Sequence, residues 1–332
     1  MSKFWNEVLE QPDALLRTLD ANRESRILLD ETAKPILFTG MGGSLAAAQL
    51  ASLYLNAKGI VSSAMDTSEL LYYQSKILDN YQIILISQSG ESIEAVKFLD
   101  TYSNIIGVTN TLGSSVALRS KQVFFTYAGK EESVAASKSF TSTLLLLLLL
   151  ASRFANDDLE AELLDTIAIL TKTIYAKEDF LPLIQLLHAD EPLVLMGRGP
   201  SVTTADYGGL LLKETARMFT ESLSVAQFRH GPFELVAEKF QCIFFNPPGP
   251  SYEANEAFAR EIAEQGGQVV YISNRAITHP TVSSITLVDA FNEFTSPIIY
   301  VFFVQLIALE MSQRKGLVAG EAKLVGKVTG KE

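Results

Sequence analysis

A chain of 332 residues with 48% hydrophobic and 20% charged side chains can bury two ordinary cores of roughly 100–150 residues each. Its formal net charge of −11, with no Lys/Arg stripe to offset it, argues against nucleic acid as a partner. A single cysteine, Cys242, excludes an intramolecular disulfide framework and fits a cytoplasmic setting; its place in an apolar run argues against a reactive thiol. His188, His230 and His279 lie far apart and show no ligand spacing, so no metal site is expected.

In chain order, an N-terminal segment (1–33) reads as helical over 4–29, and the polar, amphipathic stretch 1–26 does not resemble a signal peptide. A first α/β unit follows over 34–155. Short apolar runs at 36–39, 83–86, 105–108 and 123–126 alternate with helical segments, which predicts a parallel sheet covered on both faces. Seven consecutive leucines, Leu144 to Leu150, are too few for a membrane span of about 20 residues and predict a buried core helix. A polar, acidic helical connector (156–190) leads to a second unit over 191–315. Its apolar stretch 298–311 carries Gln305 and Glu310 and is also too short to span. A small-residue, basic-leaning tail (316–332) ends the chain.

Ser87-Gln88-Ser89-Gly90-Glu91-Ser92 carries the most information. It follows an apolar strand and precedes the helical spacing of Ile93-Glu-Ala-Val-Lys-Phe-Leu99. Strand, hydroxyl- and glycine-rich turn, then helix N-terminus presents backbone N–H groups and a helix dipole to one point, which suits phosphate. A simple capped turn is the alternative for this segment alone, since Ser and Gly commonly start helices. Gly40-Met-Gly-Gly-Ser44 lies at another strand end, but its spacing is not that of a dinucleotide fingerprint.

The pattern repeats. Pro35-Ile-Leu-Phe-Thr-Gly-Met-Gly-Gly-Ser44 recurs as Pro192-Leu-Val-Leu-Met-Gly-Arg-Gly-Pro-Ser201, and Tyr81-Gln-Ile-Ile-Leu-Ile-Ser87 as Phe240-Gln-Cys-Ile-Phe-Phe-Asn246. Ile105-Ile-Gly-Val-Thr-Asn110 recurs as Val269-Val-Tyr-Ile-Ser-Asn274. Three matched strand ends in the same order indicate a duplicated unit. The second copy replaces the hydroxyl turn with Asn246-Pro-Pro-Gly249, and each proline removes a backbone donor. The first half is expected to hold the anion.

Further motifs extend the pattern: Glu132-Ser-Val-Ala-Ala-Ser-Lys-Ser-Phe-Thr141, Lys213-Glu214, Phe228-Arg-His-Gly-Pro232 and Leu324-Val-Gly-Lys-Val-Thr329. With the turns above, the chain resembles the double sugar isomerase (SIS) domain family, as in the isomerase half of glucosamine-6-phosphate synthase and the amino-sugar-phosphate deaminases. The resemblance implies an α/β fold of two tandem SIS domains. Each would be a parallel sheet flanked by helices in a flavodoxin-like three-layer sandwich, with a helical N-terminus and a C-terminal active-site tail. It implies that Gly43, Ser44, Ser87, Gln88, Ser89 and Ser92 surround the sugar phosphate and that Val134 and Ala136 line the sugar. Glu214 resembles the base moving a proton between C1 and C2. His230 resembles the ring-opening histidine, which reaches the site from the other subunit of a homodimer. Lys327 resembles a tail lysine that forms an imine with the open-chain sugar. On residue type alone, Glu214 reads first as a solvated helix residue paired with Lys213 or Arg217, His230 equally as a turn histidine, and Lys327 by default as a solvent charge.

These types suit the chemistry: a carboxylate shuttles a proton along a cis-enediol, an imidazole titrates near neutrality, and a held, partly desolvated lysine attacks a carbonyl. Departures narrow the reaction. Gly43 stands where the family's synthase has a hydroxyl, Leu211 where it has a second lysine, and Gln227 where a glutamate is common. Ser2 follows Met1 and Cys242 is the only cysteine, so no glutamine amidotransferase activity is expected. The expected reaction is conversion of a hexosamine 6-phosphate to a ketose 6-phosphate with release of ammonia, without a cofactor. A fructosamine-6-phosphate deglycase and a non-catalytic sugar-phosphate-binding regulator are the alternatives. The partners expected are a small sugar phosphate and a second copy of the chain, with neither nucleic acid nor membrane.

Overall fold

The computed structural model describes residues 2–27, 34–287, 289 and 291–330. The predicted end of the N-terminal helical segment (28–33) and the last two residues of the tail lie outside the described residues. By Cα proximity the chain divides into a first unit, residues 7–163 with the tail from 322, and a second unit, residues 2–6 and 164–321.

Two helices open the chain, α1 (Lys3–Leu9) and α2 (Gln11–Asn22), the second started by Pro12, whose fixed φ suits a first turn. The first sheet follows as β1 (Ile36–Gly40), β2 (Ser62–Asp66), β3 (Gln82–Ile86), β4 (Ile105–Thr109) and β5 (Gln122–Phe125). All are parallel, in the order β2-β1-β3-β4-β5. Between them run α3 (Gly43–Ala57), α4 (Thr67–Tyr72), α5 (Ile93–Thr101) and α6 (Ser115–Arg119), and α7 (Lys138–Phe154) follows.

Alternation along each strand builds three layers. Leu37, Ile83, Leu85 and Ile105 pack against Leu70, Phe98, Leu99 and Val116 of α4, α5 and α6. On the other side α3 and α2 pack on α7, whose seven leucines are all buried, as the sequence predicts. A helix apolar all round belongs inside a core.

The second unit repeats this plan. After α8 (Glu160–Tyr175) and α9 (Lys177–Ile184), the strands are β6 (Leu193–Gly197), β7 (Thr220–Ser224), β8 (Gln241–Asn246), β9 (Gln268–Ser273) and β10 (Val282–Thr286). Their order β10-β9-β8-β6-β7, all parallel, is that of the first sheet when β6 is aligned with β1. The helices are α10 (Ser201–Ala216), α11 (Val225–Phe228), α12 (Tyr252–Glu264) and α13 (Ser296–Arg314). Cys242 is buried in β8. Among the described residues, α13 is the one helix long and apolar enough to cross a membrane, and most of it is buried against α10 and its own core.

Three strands have no counterpart in the sequence reading: β2, β7 and β10. Each is an edge strand, polar and only half-buried, so the apolar run that marks a central strand is missing. The fourth expected strand is shifted by one residue, ending at Phe125 instead of Thr126.

Candidate active site

In the order β2-β1-β3, the chain leaves β1 and β3 on opposite sides of the sheet, opening a crevice at their carboxyl ends. A cavity of about 180 Å³ lies there in the first unit. Its lining includes Gly43 and Ser44 after β1, Ser87, Gln88, Ser89 and Ser92 after β3, Val134 and Ala136 from the loop before α7, and Lys327 from the tail. All eight residues expected around the sugar phosphate therefore face one space together with Lys327.

Glycines allow the two turns to meet. A Cβ on Gly40 would fall 2.9 Å from the Ile86 carbonyl oxygen, so a side chain there would force β1 and β3 apart. Gly90 has φ +67°, and a Cβ there would fall 2.1 Å from Ser114 Oγ. Within the turn, Gly90 N donates to Ser87 Oγ (3.2 Å) and Glu91 N to Ser89 Oγ (3.2 Å). Glu91 itself is turned away: its carboxylate accepts Ser115 N at 2.6 Å and Ser115 Oγ at 2.8 Å, bracing the turn against α6.

Ser92 is the N-cap residue of α5, yet its side chain makes no cap bond and lies 3.4 Å from Ser87 Oγ instead. The simple capped turn therefore does not describe this segment. The backbone amides of Gln88, Ser89 and Ser92 carry no hydrogen bond among the described residues and remain available to an anion. One amide expected to be free is not: Ile93 N donates to the Thr329 carbonyl at 3.0 Å. The tail thus closes on the helix start and forms one wall of the cavity with Lys327, Val328 and Thr329.

The floor rests on a residue the sequence reading did not single out. Glu131 has a fully buried side chain. Its Oε1 accepts Ser137 N at 2.9 Å, Ser137 Oγ at 3.1 Å and Ser139 N at 3.1 Å, and its Oε2 accepts Ser139 Oγ. Lys327 Nζ donates to the same Oε2 at 2.6 Å, so the tail lysine is not a solvated charge. Burial pushes the Glu131 carboxyl up, but the Lys327 ammonium and the donors of Ser139 and Ser137 outweigh it and hold the group below its ordinary value. Glu7 of α1 holds the adjoining backbone, accepting Glu132 N and, at 3.3 Å, Ser133 N. Burial, with Glu131 nearby, holds the Glu7 carboxyl above its ordinary value despite these bonds. Ser139, Phe140 and Thr143, also outside the expected set, line the cavity. The expected motif began at Glu132, one position short of the residue that ties loop to tail.

Glu214 and His230 belong to the second unit and are not among the residues lining this cavity. Glu214 is half-buried on α10, one turn after the fully buried Leu211. His230 is exposed in the turn after α11, its N donating to the Gln227 carbonyl at 2.9 Å. That turn is anchored on both sides of Arg229: Phe228 is buried, and the Arg229 guanidinium stacks 4.0 Å from the Phe258 ring centre and pairs with Glu261 at 2.6 Å.

The second unit's counterpart of the Ser87 turn is already covered. A Cβ on Gly249 would fall 2.4 Å from the Cδ of Glu293, whose carboxyl therefore lies flat on the turn. Burial raises that carboxyl above its ordinary value. An acidic group and two prolines stand where the first unit offers amides and hydroxyls.

The sequence model of the SIS domain matches residues 31–153 and 186–312, one match for each sheet. The chain is 28% identical over 329 residues to the isomerizing glutamine–fructose-6-phosphate aminotransferase of Thermococcus kodakarensis, covering 93% of this chain and 55% of that protein. It thus spans about half the length of this curated relative. Its fold matches the C-terminal domain of glucosamine-fructose-6-phosphate aminotransferase from Francisella tularensis, with a TM-score of 0.87 and 23% identity over 96% of this chain and 98% of that one. It also matches glucosamine-6-phosphate deaminase from Thermotoga maritima, with a TM-score of 0.79 and 20% identity over 98% and 99% of the two chains. Two family matches, each falling on a sheet of the same strand order and together covering most of the chain, make this protein a member of the SIS domain family.

Proposed function

We propose that this chain is a phosphosugar isomerase that converts a hexosamine 6-phosphate to a ketose 6-phosphate and releases ammonia. The observation that carries the reading is one cavity of the first unit, where the open amides of Gln88, Ser89 and Ser92 and the hydroxyls of the 87–92 turn face the same space as Lys327. Amides and hydroxyls suit a phosphate, and a lysine on the opposite wall suits the carbonyl end of an open-chain sugar. Glu214 is the base that moves the proton between C1 and C2, and His230 opens the ring from the second subunit of a homodimer. A regulator that only binds sugar phosphate would need the hydroxyl turn but not a buried carboxylate beside the lysine.

Incubation with a panel of 6-phosphosugars, with ammonia and ketose phosphate both measured, tests the reading. Glucosamine 6-phosphate is expected to yield both products. Amine release from fructosamine 6-phosphates alone would replace this reading with a deglycase, and binding without turnover of any sugar would replace it with a regulator.

A further inference from the structure

We propose that Glu131 is the proton acceptor for Lys327, taking the ammonium proton so that the amine can attack the sugar carbonyl and returning it to the departing water. This inference rests on the isomerase reading above and adds a residue and a proton route to it. Its basis is geometric. Glu131 Oε2 lies 2.6 Å from Lys327 Nζ, the Glu131 side chain is wholly buried, and Ser139, bonded to the same carboxylate through both amide and hydroxyl, lines the cavity that Lys327 enters.

A resting ammonium has no lone pair and cannot attack a carbonyl. In water its proton would pass to solvent. Here its nearest acceptor is a carboxylate that water does not reach. The pair rests as ammonium and carboxylate, because the Lys327 charge and the Ser139 and Ser137 donors outweigh burial at Glu131, and the proton crosses the 2.6 Å hydrogen bond to Oε2 only as the amine engages the sugar carbonyl. The Lys327 proton moves to Oε2, and the freed nitrogen lone pair forms a C–N bond as the C=O pair withdraws to oxygen. The second nitrogen proton moves to that oxygen, giving a carbinolamine. The nitrogen lone pair then expels the hydroxyl, which leaves as water with the proton held by Glu131. The products are a protonated imine and a carboxylate, so the pair begins and ends with the same charges.

The other charged groups around this pair fit such a cycle. Glu7 lies close enough to feel both Lys327 and Glu131 but is engaged with the 132–133 backbone. The buried Lys138 is neutralised by Glu10, and Lys130 pairs with Glu132 at the exposed end of the loop. Among the described residues, Glu131 is the carboxylate that is hydrogen-bonded to the Lys327 ammonium.

The test is borohydride trapping on the full chain with fructose 6-phosphate, followed by mass spectrometry, over pH 6 to 9 for wild type, Glu131→Gln and Glu131→Asp. Binding of glucitol 6-phosphate, which has no carbonyl, checks the fold of each variant. Wild type is expected to label Lys327 at a rate flat across neutral pH, because the proton circulates within the pair. Glu131→Gln should bind glucitol 6-phosphate but label about 10²-fold or more slowly at pH 7, with a rate that climbs steadily with pH, since the lysine must then lose its proton to solvent. Glu131→Asp should restore the flat profile in part. A purely structural brace would alter binding without changing the slope. Labelling of Glu131→Gln at or above the wild-type rate with a flat profile overturns the proposal. So does wild type that isomerises the sugar without labelling, which would leave the isomerase reading standing. Failure of wild type to bind or turn over any 6-phosphosugar would instead sink that reading.

Discussion

At the scale of single residues, Glu214 and Glu131 are both carboxylates, but they sit in different surroundings. Glu214, half-buried on α10, is assigned the carbon-to-carbon proton transfer. Glu214→Gln keeps shape and hydrogen-bonding capacity, so sugar-phosphate affinity should survive while turnover falls by about 10²–10⁴. Equal turnover in the variant would remove Glu214 from the mechanism. Glu131 also leaves a mark on stability. Its carboxyl is held below the ordinary range in the folded state, so it stabilises fully above the unfolded value near 4.3, and that contribution is lost as pH falls through the lower folded value. Glu7, held above its ordinary value by burial, has the opposite sign: its ionised form costs stability, and protonation relieves that cost. The melting temperature of wild type should therefore fall more steeply below about pH 4 than that of Glu131→Gln, which has lost the stabilising carboxylate. Parallel melting curves for the two proteins would contradict the assignment.

At the scale of elements, β3, α5 and α6 hold the 87–92 turn from three sides while three of its amides are unengaged among the described residues. The double variant Ser87→Ala/Ser89→Ala should lose about 2–4 kcal/mol of sugar-phosphate binding, from two hydrogen bonds to a charged group. Calorimetry with fructose 6-phosphate measures it, and circular dichroism checks the turn, since both hydroxyls also accept backbone amides. Unchanged affinity would mean the anion sits elsewhere. The tail belongs to the same element set: Thr329 takes the Ile93 amide and Lys327 takes Glu131, so tail, helix start and loop order one another.

At the scale of the whole molecule, one strand order occurs twice, yet only the first crevice offers a hydroxyl-rich turn, because Glu293 and two prolines fill the second. Under the proposed reaction, the second unit's part is to supply Glu214 and His230 in place of an anion site. If the active site is shared between two copies, mixing Glu214→Gln chains with His230→Ala chains should restore part of the activity, since some mixed dimers would carry one intact site. Confirmed subunit exchange without recovered activity would rule out sharing.

The duplicated parallel fold, the buried leucine helix α7 and the turn after β3 were legible in the chain because they depend on local pattern. Apolar runs mark strands buried on both faces, and glycine and serine mark a turn that must bend tightly and donate. The edge strands β2, β7 and β10 were not legible. Segments such as Ser62-Ser-Ala-Met-Asp66 and Thr220-Glu-Ser-Leu-Ser224 become strands by pairing with β1 and β6, whose hydrogen-bonding edges are available only once those neighbours are in place. The cavity residues from Gly43 to Ala136 were named from motifs, but their convergence on one space depends on the strand order. Glu131 lay furthest from view. A carboxylate in a polar loop reads as solvated, and nothing near it in sequence says otherwise; its partner is 196 positions away. Motif and periodicity act over a few residues, whereas burial of a charge and its neutralisation are decided by what the tertiary structure brings beside it.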